Sequence, residues 1–110
     1  MDRLLIHLDP RNARLALHGE LDAVNVAKLS DALTDLIEQG HRHLQLDLSE
    51  VTWCDQAGLD AILGYGHALR ASNRSLTLSA ASPAVHRMLE HAGLPLRLPI
   101  TALGENRNGK

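Results

Sequence analysis

Within LQLDLSEVTWCDQAGL, residues 44–59, the alternation typical of a β-strand changes into the spacing typical of a helix. Leu44, Leu46 and Leu48 alternate with polar residues, as in a half-buried β-strand. After polar Ser49 and Glu50, we expect a short ordered loop through Val51, Trp53 and Cys54. Asp55 is a good N-cap for a helix that begins near Gln56, with a stripe of Leu59, Ile62, Leu63, Gly66 and Leu69.

The residues before this stretch predict a β-hairpin followed by a helix. In residues 4–9 and 15–21, leucine or isoleucine recurs at nearly every second position, as in a half-buried strand, and the turn formers of Pro10-Arg11-Asn12 separate the two runs. From Asn25 to about Gln39 the apolar residues recur at helical spacing. Asp22 or Asn25 is placed to cap the start of this helix.

The residues after it predict one more strand and one more helix. Residues 76–80 alternate like a strand, and Ser82-Pro83 is a cap and first-turn pair for a third helix that ends at Gly93. Residues 96–100 are a weak strand candidate because Pro95 and Pro99 remove backbone donors.

Strands that alternate with helices predict crossover connections and mostly parallel pairing after the opening hairpin. A sheet covered on both faces would have continuous apolar strands, whereas these strands alternate, so helices should cover mainly one face. The predicted fold class is therefore α/β, with a small mixed sheet and an N-terminal antiparallel hairpin.

The length of 110 residues, with 45% hydrophobic and 22% charged side chains, suits one globular domain. We place this domain at residues 1–103 and expect residues 104–110 to be a disordered tail. A net charge of -2 and an almost complete lack of aromatic residues argue against nucleic acid as a partner. With one cysteine, no signal peptide and no run long enough to span a bilayer, the cytoplasm is the expected compartment.

Motifs of catalysis and metal binding are missing from the sequence. There is no Gly-x-Ser-x-Gly context, and the glycines of Gly64-Tyr65-Gly66 fall inside a helical stripe. The seven histidines lack convergent ligands at metal spacing, so we expect neither a metal nor another cofactor. Receiver-type phosphoacceptor chemistry at Asp47 and Asp55 competes, but the first strand lacks an acidic pair at its end and no lysine follows a late strand.

Three segments in order resemble the STAS domain of anti-sigma-factor antagonists. They are His18-Gly19-Glu20-Leu21-Asp22, then Leu46-Asp47-Leu48-Ser49 through Asp55-Gln56-Ala57-Gly58-Leu59, then Ser82-Pro83-Ala84-Val85 with Ala92-Gly93-Leu94. The resemblance covers about residues 4 to 100. It implies a bacterial, non-enzymatic regulator that docks onto an anti-sigma factor of the histidine-kinase-like ATPase type and so frees a sigma factor.

The resemblance also implies a docking surface made of Asp22, Asp55, Gln56, Ala57, Gly58 and Leu59. In the family, a phosphorylatable Ser or Thr directly follows the residue that matches Asp55, and phosphate there would spoil docking. This chain has Gln56 at that position and Ala57 next to it, and neither accepts phosphate. Docking is then either constitutive, with control by abundance, or the scaffold has another use.

Other interpretations stay open at this point. Asp22 and Asp55 are equally well explained as a turn former and a helix cap. We expect Trp53 to be buried under the second helix, Cys54 to be an inert core thiol and Gly64 to permit tight helix packing. The first alternative function is an accessory subunit of a phospholipid-transport ATPase complex, and the second is a small-ligand or enzyme role.

Overall fold

The computed structural model describes residues 3–91, which form four strands and three helices. In chain order these are β1 (Leu4–Asp9), β2 (Arg14–Leu21), α1 (Ala27–Glu38), β3 (His43–Cys54), α2 (Gln56–Ala71), β4 (Ser75–Ala81) and α3 (Pro83–His91). A short 3-10 turn, Pro10–Asn12, joins β1 to β2. The expected hairpin, the strand after α1, the strand at residues 76–80 and the three helices are confirmed.

One mixed sheet has the strand order β1-β2-β3-β4. β1 pairs antiparallel with β2, while the β2/β3 and β3/β4 pairs are parallel. Leucines of one sheet face make the centre of the core, and the stripes of α2 and α3 pack on Leu48 and Leu78 of that face. The opposite face carries polar groups, such as the Arg14–Asp47 ion pair. The predicted fold class, with helices mainly on one face, is confirmed.

The prediction of a loop after Ser49 and Glu50 is wrong, because β3 continues to Cys54. Twice, between Asp47 and Glu50 and between Val51 and Trp53, β3 advances one residue more than its neighbour β2. Each extra residue is a β-bulge, which turns the following side chains. Burial therefore changes from every second residue to every third, and Leu48, Val51 and Cys54 all reach the core. The sequence lost its alternation at this point although the strand went on.

The cap expected for the first helix is also wrong. α1 begins at Ala27, and its N-cap residue Val26 makes no side-chain cap hydrogen bond. Asp22 and Asn25 instead make two reciprocal hydrogen bonds. Asp22 Oδ1 accepts from the backbone nitrogen of Asn25 at 2.9 Å, and Asn25 Oδ1 accepts from the backbone nitrogen of Asp22 at 2.9 Å. These side chains stabilise the turn between β2 and α1.

The third helix starts as predicted, because the Ser82 hydroxyl accepts a hydrogen bond from the backbone nitrogen of Val85 at 3.2 Å. The predicted end at Gly93, the weak strand at residues 96–100, the domain boundary at residue 103 and the tail at residues 104–110 lie outside the described residues. They stay predictions. Among the helices of residues 3–91, none combines the length and the apolar composition that a membrane span requires.

Candidate functional site

The carboxyl ends of β2 and β3 bring the predicted site residues together. Leu21 and Cys54 are paired as the last residues of these neighbouring strands, and the backbone nitrogen of Asp55 donates to Leu21 O at 3.2 Å. Parallel neighbouring strands lie about 4.8 Å apart. Asp22 and Asp55 therefore leave the sheet side by side, one into the turn before α1 and the other into α2.

Asp22 is buried, and its carboxylate is fully occupied within the fold. Oδ2 accepts from Arg3 Nη2 at 2.7 Å, and Oδ1 accepts from the backbone nitrogens of Val24 and Asn25, both at 2.9 Å. The Asn25 amide in turn donates to Glu20 O at 2.8 Å. With its side chain only 11% exposed, Asp22 shapes the turn and leaves little surface for another molecule.

Asp55 is the N-cap of α2, as predicted. Its Oδ1 accepts from the backbone nitrogen of Gly58 at 2.7 Å, which satisfies a donor that the helix itself cannot use. Gly58 is buried against β2: a β-carbon there would lie 3.1 Å from Leu21 O and 3.3 Å from Asp55 Oδ1. This close packing fixes the helix start against the ends of both strands.

Gln56 and Ala57 are exposed in the first turn of α2, where the resemblance puts the switch residue. The Gln56 amide nitrogen donates to Asp60 Oδ1 at 2.9 Å, one helical turn further on. Leu59, by contrast, is buried in the core. Of the six residues predicted for docking, Gln56 and Ala57 present their side chains most openly, whereas Gly58 and Leu59 support the helix from beneath.

The burial expected for Trp53 is wrong, since its side chain is 48% exposed. The two bulges of β3 send Val51 and Cys54 inward and leave Thr52 and Trp53 outside. Trp53 lines an open groove with α3, whose Ala84, Arg87 and Met88 form part of the other wall. An exposed indole at a strand end is suited to anchoring a partner protein.

Val24, which no sequence pattern singled out, is 83% exposed in the turn after β2. This turn is joined to α2 by a hydrogen bond of 3.4 Å from the Tyr65 hydroxyl to Val26 O. Val24 and Trp53 are thus exposed apolar side chains at the ends of the two strands, two residues after Asp22 and two residues before Asp55. We call the exposed residues at this end of the sheet, Val24, Trp53, Gln56 and Ala57, the strand-end patch.

The patch contains no reactive thiolate. Burial, with a smaller contribution from the Asp55 carboxylate, raises the pKa of the Cys54 thiol to about 11. The thiol is therefore protonated at neutral pH and is a poor nucleophile. Within residues 3–91, no three His, Cys, Asp or Glu side chains stand close enough to hold a metal ion.

Comparison with known proteins finds a matching family model and several curated relatives. A family model described as "Mlab, STAS domain" matches residues 5–97. The anti-sigma-B factor antagonist of Staphylococcus aureus strain NCTC 8325 is 32% identical over 76 residues, which are 69% of this chain and 70% of that protein. The protein of the same name from Staphylococcus epidermidis is 28% identical over 76 residues, with the same coverage of 69% and 70%.

Solved structures agree with this fold. The anti-sigma factor antagonist SpoIIAA in its unphosphorylated form has a TM-score of 0.62 at 20% identity, over 82% of this chain and 80% of that chain. An anti-sigma factor antagonist from Mycobacterium paratuberculosis has a TM-score of 0.59 at 21% identity, over 82% and 76%. With the family model matching most of its length, the chain belongs to the STAS domain family.

Proposed function

We propose that the chain is an anti-sigma-factor antagonist that docks, through the strand-end patch, onto an anti-sigma factor of the histidine-kinase-like ATPase type. The observation that carries this proposal is the patch itself: Val24, Trp53, Gln56 and Ala57 are exposed around the helix start where two strands end. Its relatives include the staphylococcal anti-sigma-B factor antagonists. The role is binding, with no reaction chemistry of its own.

The proposed docking is constitutive, without a phosphorylation switch in the first turn of α2. Gln56 and Ala57 carry no hydroxyl, and the Gln56 amide is held by Asp60 at 2.9 Å. The nearest hydroxyl before the helix, that of Thr52, donates to Gly19 O at 3.2 Å in the second bulge. Control of the amount of protein would then set how much anti-sigma factor is bound.

Titration calorimetry with the purified anti-sigma factor tests the docking surface. Val24→Asp and Ala57→Arg place charge on exposed positions, so they should preserve the fold and weaken binding at least about tenfold. Thr34→Asp is the matched control for Val24→Asp, because it adds the same negative charge at an exposed position two turns into α1. Unchanged affinity in both patch variants, with circular dichroism confirming folding, would contradict the proposed surface.

Phosphorylation tests the proposed lack of a switch. Incubation of the wild-type chain with the anti-sigma factor and ATP should yield no phosphopeptide that covers residues 55–59, whereas Gln56→Ser should restore an acceptor hydroxyl. A phosphopeptide from the wild-type chain in that region would disprove constitutive docking.

A second candidate function is an accessory subunit that docks onto the nucleotide-binding subunit of a phospholipid-transport ATPase complex. The observation that favours it is the same lack of a hydroxyl at positions 56 and 57, because a permanent subunit needs no phosphorylation switch. Affinity purification from the native cell separates the two roles. Recovery of an ATPase-type anti-sigma factor supports the first, and recovery of a transporter ATPase supports the second.

A further inference from the structure

β1 lies at the end of the sheet order, so its outer edge is not paired by β2, β3 or β4. The backbone nitrogen of Glu20 donates to Arg3 O at 2.8 Å, which directs the backbone groups of Arg3, and hence of every second residue after it, toward β2. Leu4, Ile6 and Leu8 therefore direct their N–H and C=O groups outward. In agreement, Lys28 Nζ reaches Leu4 O from that side at 3.4 Å.

This edge has few of the features that keep edge strands apart. Natural edge strands are commonly protected by lysine, proline or bulges. β1 reads LLIHLD, with no proline or lysine of its own, and its register with β2 is regular over all six residues. The lysine that reaches the edge, Lys28 of α1, bonds to Leu4 O at one end of the strand. Two of its leucines are exposed, Leu5 at 55% and Leu8 at 38%. Such a strand is a template for another strand.

The groove beside the edge has charges of opposite sign at its two ends. Leu4, Ile6 and Leu8 line it together with Lys28, Asp31, Ala32 and Asp35 of α1. Lys28 lies at the Leu4 end. Asp35 is seven residues further along α1, which is about 10 Å at the rise of a helix. Because α1 follows β2 back across the sheet, it runs in the direction of β1, and Asp35 lies toward the Leu8 end.

We propose that β1 pairs antiparallel with β1 of a second copy of this chain, across a two-fold axis at Ile6. Two-fold symmetry places Leu4 of each copy opposite Leu8 of the other, and the outward backbone groups of both strands then meet. The same operation brings the Lys28 end of one groove to the Asp35 end of the other. The edge is therefore complementary to itself in hydrogen bonding, and Lys28 of each copy is complementary in charge to Asp35 of the other. Asp31, midway between them in the groove, lies near the axis in both copies and adds no attraction.

Sedimentation velocity of the full chain over a wide concentration range tests this pairing. The wild-type protein should pass from monomer to dimer as its concentration rises. Leu8→Lys puts a charge on the exposed edge and should raise the dimer Kd at least about tenfold. A wild-type chain that stays monomeric at every concentration, or a dimer that Leu8→Lys leaves unchanged, would overturn the proposal.

A charge swap tests the register. Lys28→Glu and Asp35→Lys should each raise the dimer Kd, and the double variant should restore it because the complementary ends are exchanged. Glu90→Lys is the control, since it makes the same charge change at an exposed position of α3. Failure of the double variant to recover dimerisation while it remains folded by circular dichroism, or equal weakening by Glu90→Lys, would exclude this geometry.

Discussion

Gly19 of β2 has neither the backbone conformation nor the space for a side chain. Its φ is +112°, and a β-carbon there would lie 2.1 Å from the backbone oxygen of Arg3 in β1. We expect Gly19→Ala to lower the free energy of unfolding by about 2 to 4 kcal/mol, because both the conformation and the space exclude a side chain. Urea denaturation followed by circular dichroism measures the change.

Gly64→Ala is the matched control for Gly19→Ala. Nothing lies within 4 Å of a β-carbon at Gly64, so the packing role expected from its place in the helical stripe is wrong. Alanine should raise the free energy of unfolding by about 1 kcal/mol, as in an exposed helix interior. Equal destabilisation by the two substitutions would contradict the distinction between these glycines.

Single residues whose roles depend on their nearest neighbours in sequence were predicted well. Asp55 and Ser82 cap the helices that directly follow them, and a cap bond needs only three residues of chain. The exposure of Trp53 and the open space at Gly64 depend on bulges and on packing between elements. Such features have no local pattern, so sequence reasoning put Trp53 in the core and Gly64 in a contact.

Among the helices and strands, α2 has its first turn stabilised by the carboxylate of Asp55, which caps it. We expect Asp55→Ala to lower the free energy of unfolding by about 1 kcal/mol, since the Gly58 N–H loses its acceptor, whereas Asp55→Asn keeps a good cap. Denaturant midpoints of the three proteins measure this. An asparagine variant as unstable as the alanine variant would show that the charge matters more than the hydrogen bond.

β3 shows why periodicity stops short of a full prediction. Alternation identified its first half, where Leu44, Leu46 and Leu48 face the core. The second half keeps its pairing with β2 but carries two extra residues, so its burial repeats every third position. A bulge is defined by the partner strand, which a reading of one strand cannot supply. The same bulges expose Trp53, so the error in the strand and the error in the site have one cause.

For the molecule as a whole, acid should weaken the sheet through Asp47. Burial pushes the pKa of Asp47 upward, but hydrogen bonds from Ser49 and Arg14 outweigh it and hold that pKa below its ordinary value of 3.8. A carboxyl whose pKa is lower in the folded protein stabilises the fold above its unfolded pKa, and this contribution is lost as the pH falls through the folded value.

Urea denaturation at a series of pH values checks this prediction. The free energy of unfolding should fall as the pH drops below about 4, and Asp47→Asn should make that fall shallower because the asparagine does not titrate. The variant should also be less stable at neutral pH, where the 2.7 Å ion pair with Arg14 is lost. The same acid slope in both proteins would exclude Asp47 as a source of the pH dependence.

The architecture could be predicted from the sequence because each strand contains alternating apolar positions. Alternating strands have one apolar face, and a chain that places helices between them must cover that face. Helices on one face, the hairpin and the parallel pairs followed from this. The conformation of the turn at Asp22 did not, since its carboxylate is held by Arg3, nineteen residues away in sequence.

The half-exposed indole of Trp53 has a practical consequence, because the chain contains one tryptophan and one tyrosine. Its intrinsic fluorescence on excitation of the indole therefore reports from a single site at the end of β3. Emission from the free protein should lie toward the red, as for a hydrated indole, and should move toward the blue when a partner covers that site. The protein carries its own optical reporter, and a titration needs no attached dye.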